Sequence, residues 1–505
     1  MEIVKLLAKV MVILTGMVGI PLVVAYLVNQ HKFWRRFILA GMTLVLVRPP
    51  GNFTLNLYSI DWYRGHTKGF EFNMLWMVGF GFILAAIMRG RKPLLRLPGL
   101  FVYTLYIAMG CLSLLTAYEP LFGVMAAWKF AMAFVIAIGV CQAIEDEEDI
   151  QWILRAFAAA LIVNALVCIK MRYLEGRYQI PAWFEHQNPM AMWCYFVGLP
   201  LLAVSLAKDI RFRDSLLYFA GFGAGGLSII FSVSRASLAA IGMGALLLLG
   251  ISFLRGITLK RMGVLMLMAS AGGIVLFLAM DTLVNRFESS EDTGPENDLR
   301  WILNQQSKAM LEDSVIGIGW NSFGIANSRP TGAKYSQLLE AWNANRGHTI
   351  VAEHYFANPL TESHYMLLLA ETGYQTFAAF ILFELCTLYW CLRGVWQYRK
   401  SFLGFLCLGI GVALGITYMH SNLERVLTQT KNLSTWMVVV GVLMRIEIWR
   451  RQGYRPATWD GKRRDTAIAT STASANPTTG KRPTRPRFLE PAQQQEFARD
   501  GHAEA

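Results

Sequence analysis

The chain has 505 residues, of which 54% are hydrophobic and only 16% charged, with a formal net charge of +13. Its apolar runs approach the roughly 20 residues that cross a ~30 Å hydrocarbon core, which excludes an ordinary soluble multidomain chain and also barrel strands alternating over ~10 residues. The positive charge is spread over short loops and a tail with no nucleic-acid-binding motif, so it reads as a membrane-topology signal.

In chain order, spans are expected at about 4–28, 37–48, 71–88, 99–117, 121–143, 150–170, 189–207, 215–231, 236–254, 262–280, 363–390, 402–419 and 433–448. The first lacks a small-residue cleavage site and leads straight into the next, so it reads as a span and not as a signal peptide. The 37–48 run is short and reads as tilted or re-entrant. The basic loops 31–36, 89–96, 208–213, 255–261 and 393–400 fall on one side, assigned to the cytoplasm. "EDEED" (145–149) lies on that side too and reads as a solvated loop. The segments 171–188, "SVSR", 281–361 and 420–432 then lie outside. The seven cysteines lie in or beside spans, with no CxxC or Cys/His spacing for zinc, and read as packing residues.

The expected architecture is all-α: a polytopic membrane protein with about 12–13 transmembrane helices and one large periplasmic loop. It divides into an N-terminal bundle (1–280), the loop (281–361), C-terminal helices (362–449) and a disordered basic cytoplasmic tail (450–505) rich in Pro, Thr, Ser and Arg. Within the loop, Leu299, Ile302, Leu303, Gln306 and Met310 recur at helical spacing, which predicts an amphipathic helix lying on the membrane-facing side of the loop. "GIGWNSFG" (317–324) follows as a glycine-punctuated turn.

Ionisable residues at the ends of apolar helices are costly in lipid and carry the most information. In "FSVSRASLAAIGMG", Arg235 sits at a turn between two spans. Its fork of donors matches phosphate oxygens; it equally suits an interfacial arginine reaching the headgroups. In "PLTESHYMLLLAETGYQTFAAF", His364 opens a span directly after the long loop, with Thr361 or Ser363 as cap and Glu362 on the helix dipole. A neutral histidine there is able to take a proton from a hydroxyl, although an interfacial histidine bonded to a headgroup or backbone is the commoner case. Glu371 shares that helix face and either orients the imidazole through a bridge across a ~10 Å rise or pairs with an arginine.

The loop "KMRYLEGRYQIPAWFEHQNPMAMW" gathers Arg172, Arg177, His186, Gln187 and Asn188, and its outer arginines run against the positive-inside bias. Arg300 in the amphipathic helix is a further outer arginine. "YSIDWYRGHTKGFEFNMLW", with Asp61, Arg64, His66, Lys68 and Glu71, reads as a polar interfacial connection in preference to an acceptor-binding surface. No Walker A sequence points to ATP, and no Asp-x-Asp or outer carboxylate cluster points to Mg²⁺. Arginines would therefore have to stabilise any leaving-group charge.

Four segments in order across 180–390 together resemble the O-antigen ligase and polymerase superfamily of bacterial envelope glycosyltransferases. "FEHQNPMA" resembles its Asn-Pro or Pro-Asn segment, and "SRASLAA" its Ser-Arg motif opening a helix. "LRWILNQQSKAMLEDSVIGIGWNSFG" is similar to its loop pattern, and "ESHYMLLLAETGYQTFAAF" to its His-x-x-x-Leu-x-x-Leu-x-Glu-x-Gly helix. Tyr365 stands where the family often has Asn, and Asn188–Pro189 is in the less usual order.

The resemblance implies an inner-membrane enzyme with its active site facing the periplasm. Its donor would be an undecaprenyl-diphosphate-linked glycan and its acceptor a hydroxyl on lipid A–core, on a growing glycan or on a protein. On this reading His364 and Arg235 are catalytic, and Arg172, Arg177, His186, Asn188, Arg300 and Glu371 bind substrate. No metal or other cofactor takes part, and direct displacement inverts the anomeric centre. Polymerases and protein O-oligosaccharyltransferases share the pattern. A lipid-linked oligosaccharide flippase is the alternative of another class; it requires charges buried within spans and internal repeats, and neither is evident.

Overall fold

The computed structural model describes residues 2–47, 54–60, 63, 65–90, 96–270, 273, 295–327, 334–335, 337 and 360–456. All of them belong to one compact unit, Met1–Ala457. The end of the expected 262–280 span, much of the 281–361 loop and the tail from 457 lie outside the described residues.

The helices are α1 (Glu2–Gln30), α2 (Lys32–Leu44), α3 (Met74–Met88), α4 (Leu100–Leu112), α5 (Pro120–Ala143), α6 (Glu147–Tyr173), α7 (Gln187–Ser205), α8 (Phe212–Ser232) and α9 (Arg235–Leu254). Then come α10 (259–270), α11 (Pro295–Asp313), the short α12 (Phe323–Ala326), the long segment His364–Gln397, α15 (Phe402–His420) and α16 (Thr430–Arg451). Among the described residues nine helices are long and apolar enough to cross a membrane: α1, α5 to α9, His364–Gln397, α15 and α16. α3 and α4 are apolar but shorter. α2, at 13 residues, rises about 20 Å, less than a hydrocarbon core. No cysteine in the fold is bonded to another; five are buried and two partly so.

Three features depart from the expected all-α pattern of continuous spans. Between α2 and α3 the chain forms an antiparallel hairpin, β1 (Thr54–Ser59) with β2 (Gly69–Asn73), so residues 71–73 are strand and not the start of a span. Asn73 then caps α3, its side chain accepting from the Leu75 N–H at 2.8 Å.

The second departure is a break inside His364–Gln397. A straight helix would set His364 and Phe380 about 24 Å apart. Their rings lie 5.1 Å apart, and the Tyr365 hydroxyl donates to the Glu384 carboxylate at 3.0 Å. The chain folds back at Gly373, which has φ +73°, giving α13 (364–372) laid against α14 (374–397). Only glycine fits: the left-handed φ disfavours other residues, and a Cβ would collide with the Val315 carbonyl oxygen.

The third concerns α11. Ile302, Leu303, Gln306 and Met310 are buried as the spacing predicts, but against protein. Leu303 and Met310 share a core with Phe323, Leu360, Leu367 and Ala370, so this face covers α13 instead of facing lipid.

The bundle has two chemically different ends. At the basic end Arg35 meets Glu145 and Asp149, Arg36 meets Asp146 and Asp149, and Arg89 meets Glu145. "EDEED" is therefore an ion-pair hub and not a solvated loop; Asp149 is fully buried and completes a capping box with Asp146 at the start of α6. The same end holds Arg155–Asp214 and the Asp209 carboxylate, which accepts from the Phe402 N–H at 2.8 Å. The opposite, loop end carries the hairpin, the 171–186 loop, α11–α12, the Gly373 corner and the 421–429 connection.

Candidate functional site

At the loop end two distant segments lock onto Glu371. Its carboxylate accepts the backbone N–H of Asn321 at 2.9 Å and of Phe323 at 3.0 Å, and pairs with His66 Nε2 at 2.8 Å. The Asn321 side chain in turn accepts from the His66 N–H at 2.6 Å and donates to the Thr67 and Phe122 carbonyls. The N–H groups of Ile318 and Gly319 cap the Ala370 and Glu371 carbonyls, which α13 leaves open at its end. Trp320, fully buried, is stacked on Phe130 with centroids 5.3 Å apart. "GIGWNSFG" is thus a plug driven into the bundle. Glu371 holds that plug; it bonds neither His364 nor an arginine among the described residues, unlike either role expected for it.

His364 sits at the other end of α13 from Glu371. Its backbone N–H donates to the Ser421 carbonyl at 2.9 Å, and Ser363 caps the helix through the Met366 N–H. The ring is 1% exposed, lies edge-on to Phe380, and neither nitrogen has a hydrogen-bond partner among the described residues. Buried polar atoms are nearly always paired, so both ring nitrogens are open to a partner from outside the described residues. His66 lies within electrostatic reach of it.

A second cluster gathers three of the residues expected to bind substrate. Arg300 pairs with Glu362 and lies 3.6 Å from Glu424. Asn188 donates to Glu424 at 2.6 Å, and His186, the N-cap of α7, is near enough to Glu362 to feel its charge. Burial, reinforced by Glu362, pushes the Glu424 carboxyl up to about 7; Arg300 and Asn188 oppose the rise. Burial pulls His186 below the usual histidine range, against the pull of Glu362. Two carboxylates thus converge on one arginine, a pairing that no local spacing announces.

Arg172 and Arg177 are engaged elsewhere. Arg172 reaches the Arg177 and Tyr178 carbonyls at 3.3 Å and lies over the Tyr178 ring, while Arg177 pairs with Glu175 at 3.1 Å. Both serve the fold of their own loop. Arg235 is exposed at the first turn of α9.

The hairpin is more than an interfacial connection. His66 and Glu71 are buried; Asp61 and Arg64 lie outside the described residues. Lys129, buried in α5, donates to the His66 carbonyl at 2.7 Å and lies 3.4 Å from Glu71. Thr67 and Thr430 complete the shell of Glu71 at 2.9 and 3.1 Å. A cavity of about 490 Å³ opens beside this group. Sequence reading missed Lys129 although the signal was available: a lysine inside an apolar span is a functional candidate by default. Lys129 and Glu384 are both charged-type residues buried within spans, correcting the expectation that there are none.

Fold and site together define a helical, multi-pass membrane protein with a polar, partly enclosed cavity at one end of the bundle. Compared with known proteins, the chain matches no protein-family model and no curated sequence.

Proposed function

We propose that this protein is a membrane glycosyltransferase similar to O-antigen ligases, moving a glycan from an undecaprenyl-diphosphate carrier to a hydroxyl acceptor at the periplasmic face of a bacterial inner membrane. One observation carries the reading. Two motif-like segments, "GIGWNSFG" and "HYMLLLAETG", form a single interlocked unit through Glu371, and that unit carries His364, whose ring has no hydrogen-bond partner among the described residues.

In this mechanism the neutral imidazole of His364 takes the proton of the acceptor hydroxyl as its oxygen attacks the anomeric carbon. The glycan–diphosphate bond breaks on the opposite face, inverting the centre. Arg235 and Arg300 bind the departing diphosphate; Arg300 does so by exchanging its carboxylate partners for phosphate oxygens. At 1% exposure His364 meets an acceptor only after α13 or the 421–425 segment moves, so the reading requires an opening step.

The buried Lys129 and Glu384 favour a second reading, a transporter for lipid-linked oligosaccharide. A reconstituted assay with a lipid-diphosphate glycan and lipid A–core, glycan or protein acceptors separates the two and names the acceptor. The proposal expects a new glycosidic bond, formed equally well with EDTA present. Translocation of the carrier without product overturns it. Sidedness is read by cysteine labelling from outside: a probe at Ser290 reacts and one at Ser471 does not. The reverse pattern puts the proposed site in the wrong compartment.

A further inference from the structure

The cavity beside Lys129 is built from five separate stretches of chain: Val45–Leu46 after α2, the β1–β2 hairpin running into α3, α5, the segment before α7 and the 425–434 connection into α16. Its volume, about 490 Å³, falls in the range of small-molecule sites and suits one or two sugar rings. Four cations line it, Lys68, Lys129, Arg425 and Lys431, against two carboxylates, Glu71 and Glu185. The balance, four minus two, is a net +2, and Glu71 is already bonded to Thr67, Lys129 and Thr430.

Two buried groups face unfinished bonding. The Lys129 side chain is 4% exposed, and its two contacts leave one of three ammonium donors without a partner among the described residues. The His66 side chain is 1% exposed, lines the cavity, and has no partner for Nδ1 among the described residues. The rest of the lining mixes amides and hydroxyls, such as Asn56, Gln429 and Ser434, with the Phe184 ring. That combination suits the hydroxyls and apolar face of a pyranose better than a bare inorganic ion.

We infer that this cavity binds a sugar carrying an anionic group, either a phosphate or a carboxylate, with Lys129 and Lys431 as the charge-reading residues. His66 belongs to both the cavity and the Glu371 lock, so the bound sugar abuts the unit that carries His364. Which substrate that sugar belongs to rests on the glycosyltransferase reading; the binding itself does not.

The test is isothermal titration of the full chain in nanodiscs with glucose 1-phosphate, glucuronate, glucose and inorganic phosphate, with no acceptor or lipid donor present. Glucose 1-phosphate or glucuronate binds at least about tenfold more tightly than glucose and than inorganic phosphate, and the stronger of the two identifies the anionic group. Lys129→Gln and Lys431→Gln each weaken that binding about tenfold or more, while Arg393→Gln, exposed and remote from the cavity lining, leaves it unchanged. Lys431→Gln decides the matter if Lys129→Gln does not fold. Equal affinity for glucose, equal affinity for inorganic phosphate, no binding by about 10 mM, or indifference to Lys431→Gln overturns the inference. Probe binding without transferase activity keeps the site and removes the enzyme reading; transferase activity without probe binding does the opposite.

Discussion

The two ends of the bundle use the same residue types for opposite ends. At the basic end arginines and carboxylates meet in near-equal numbers: Arg35, Arg36 and Arg89 against Glu145, Asp146 and Asp149. Each pair ties one helix terminus to another, and Asp149 also caps its own helix. At the loop end the pairing is unequal. Two carboxylates share Arg300, and among the described residues Lys129 keeps a spare donor and the His364 ring has no partner. Balanced charge closes a structure, whereas unbalanced buried polarity carries a cost that folding alone does not justify.

The comparison breaks most sharply at His364. His364→Ala should lower turnover per folded molecule by about 10²–10⁴-fold while thermal stability stays near that of the parent chain. Near-normal turnover would remove the histidine from the mechanism and leave the arginines to account for catalysis.

At the basic end the effect should reverse. Asp149→Ala removes a buried carboxylate shared by Arg35 and Arg36, which keep Glu145 and Asp146, and breaks the α6 capping box; it should destabilise the fold by about 2–3 kcal/mol, seen as a lower unfolding temperature in detergent. Activity per folded molecule should not change. A loss of turnover without a loss of stability would show that the two ends are not divided in this way.

How far the sequence revealed this division depends on the residues concerned. The bounds of α5 to α9 were legible because long apolar runs end at charged loops, as at Lys208–Arg213. The ion-pair hub was not, since Arg35 and Asp149 are 114 positions apart and nothing in either segment names its partner. The fold-back was hidden for another reason: "AETGYQTF" continues an apolar run, and membrane helices commonly carry glycine. His364, Arg300, Asn188 and His186 were all picked out, because polar residues beside spans are conspicuous. The grouping of the last three was not, and neither was Glu424, which ties Asn188 to Arg300 across the 421–429 connection.

A third substitution tests the corner itself. Gly373→Ala forces a Cβ onto the Val315 carbonyl at a left-handed φ, and should cost about 1–2 kcal/mol or more. Limited proteolysis should then cut within 295–327 first, because the plug loses its seat before the basic end loosens. Uniform cleavage would show that the corner does not hold the plug.

The last effect is a pH dependence. Glu424 has a carboxyl raised by burial from 4.5 to about 7, so its protonated form is favoured in the fold. Its contribution to stability is fully present below pH 4.5 and is lost as pH rises through about 7, with a slope of at most about 1.4 kcal/mol per pH unit. Glu424→Gln should match the parent near pH 4.5 and exceed it in stability at pH 8. Parallel stability curves would place Glu424 in solvent and dissolve the cluster around Arg300.

The His66–Glu371 contact joins residues 305 positions apart. A ribosome adding about 5–20 residues per second delivers the glutamate about 15–60 s after the histidine. During that interval the hairpin, Lys129 and most of the early spans already exist, yet the group that fastens them to the plug has not been made. Assembly of the loop end is therefore a late event in the life of each new chain, governed by its last third, and a nonsense mutation anywhere before codon 371 releases a bundle whose polar interior was never sealed.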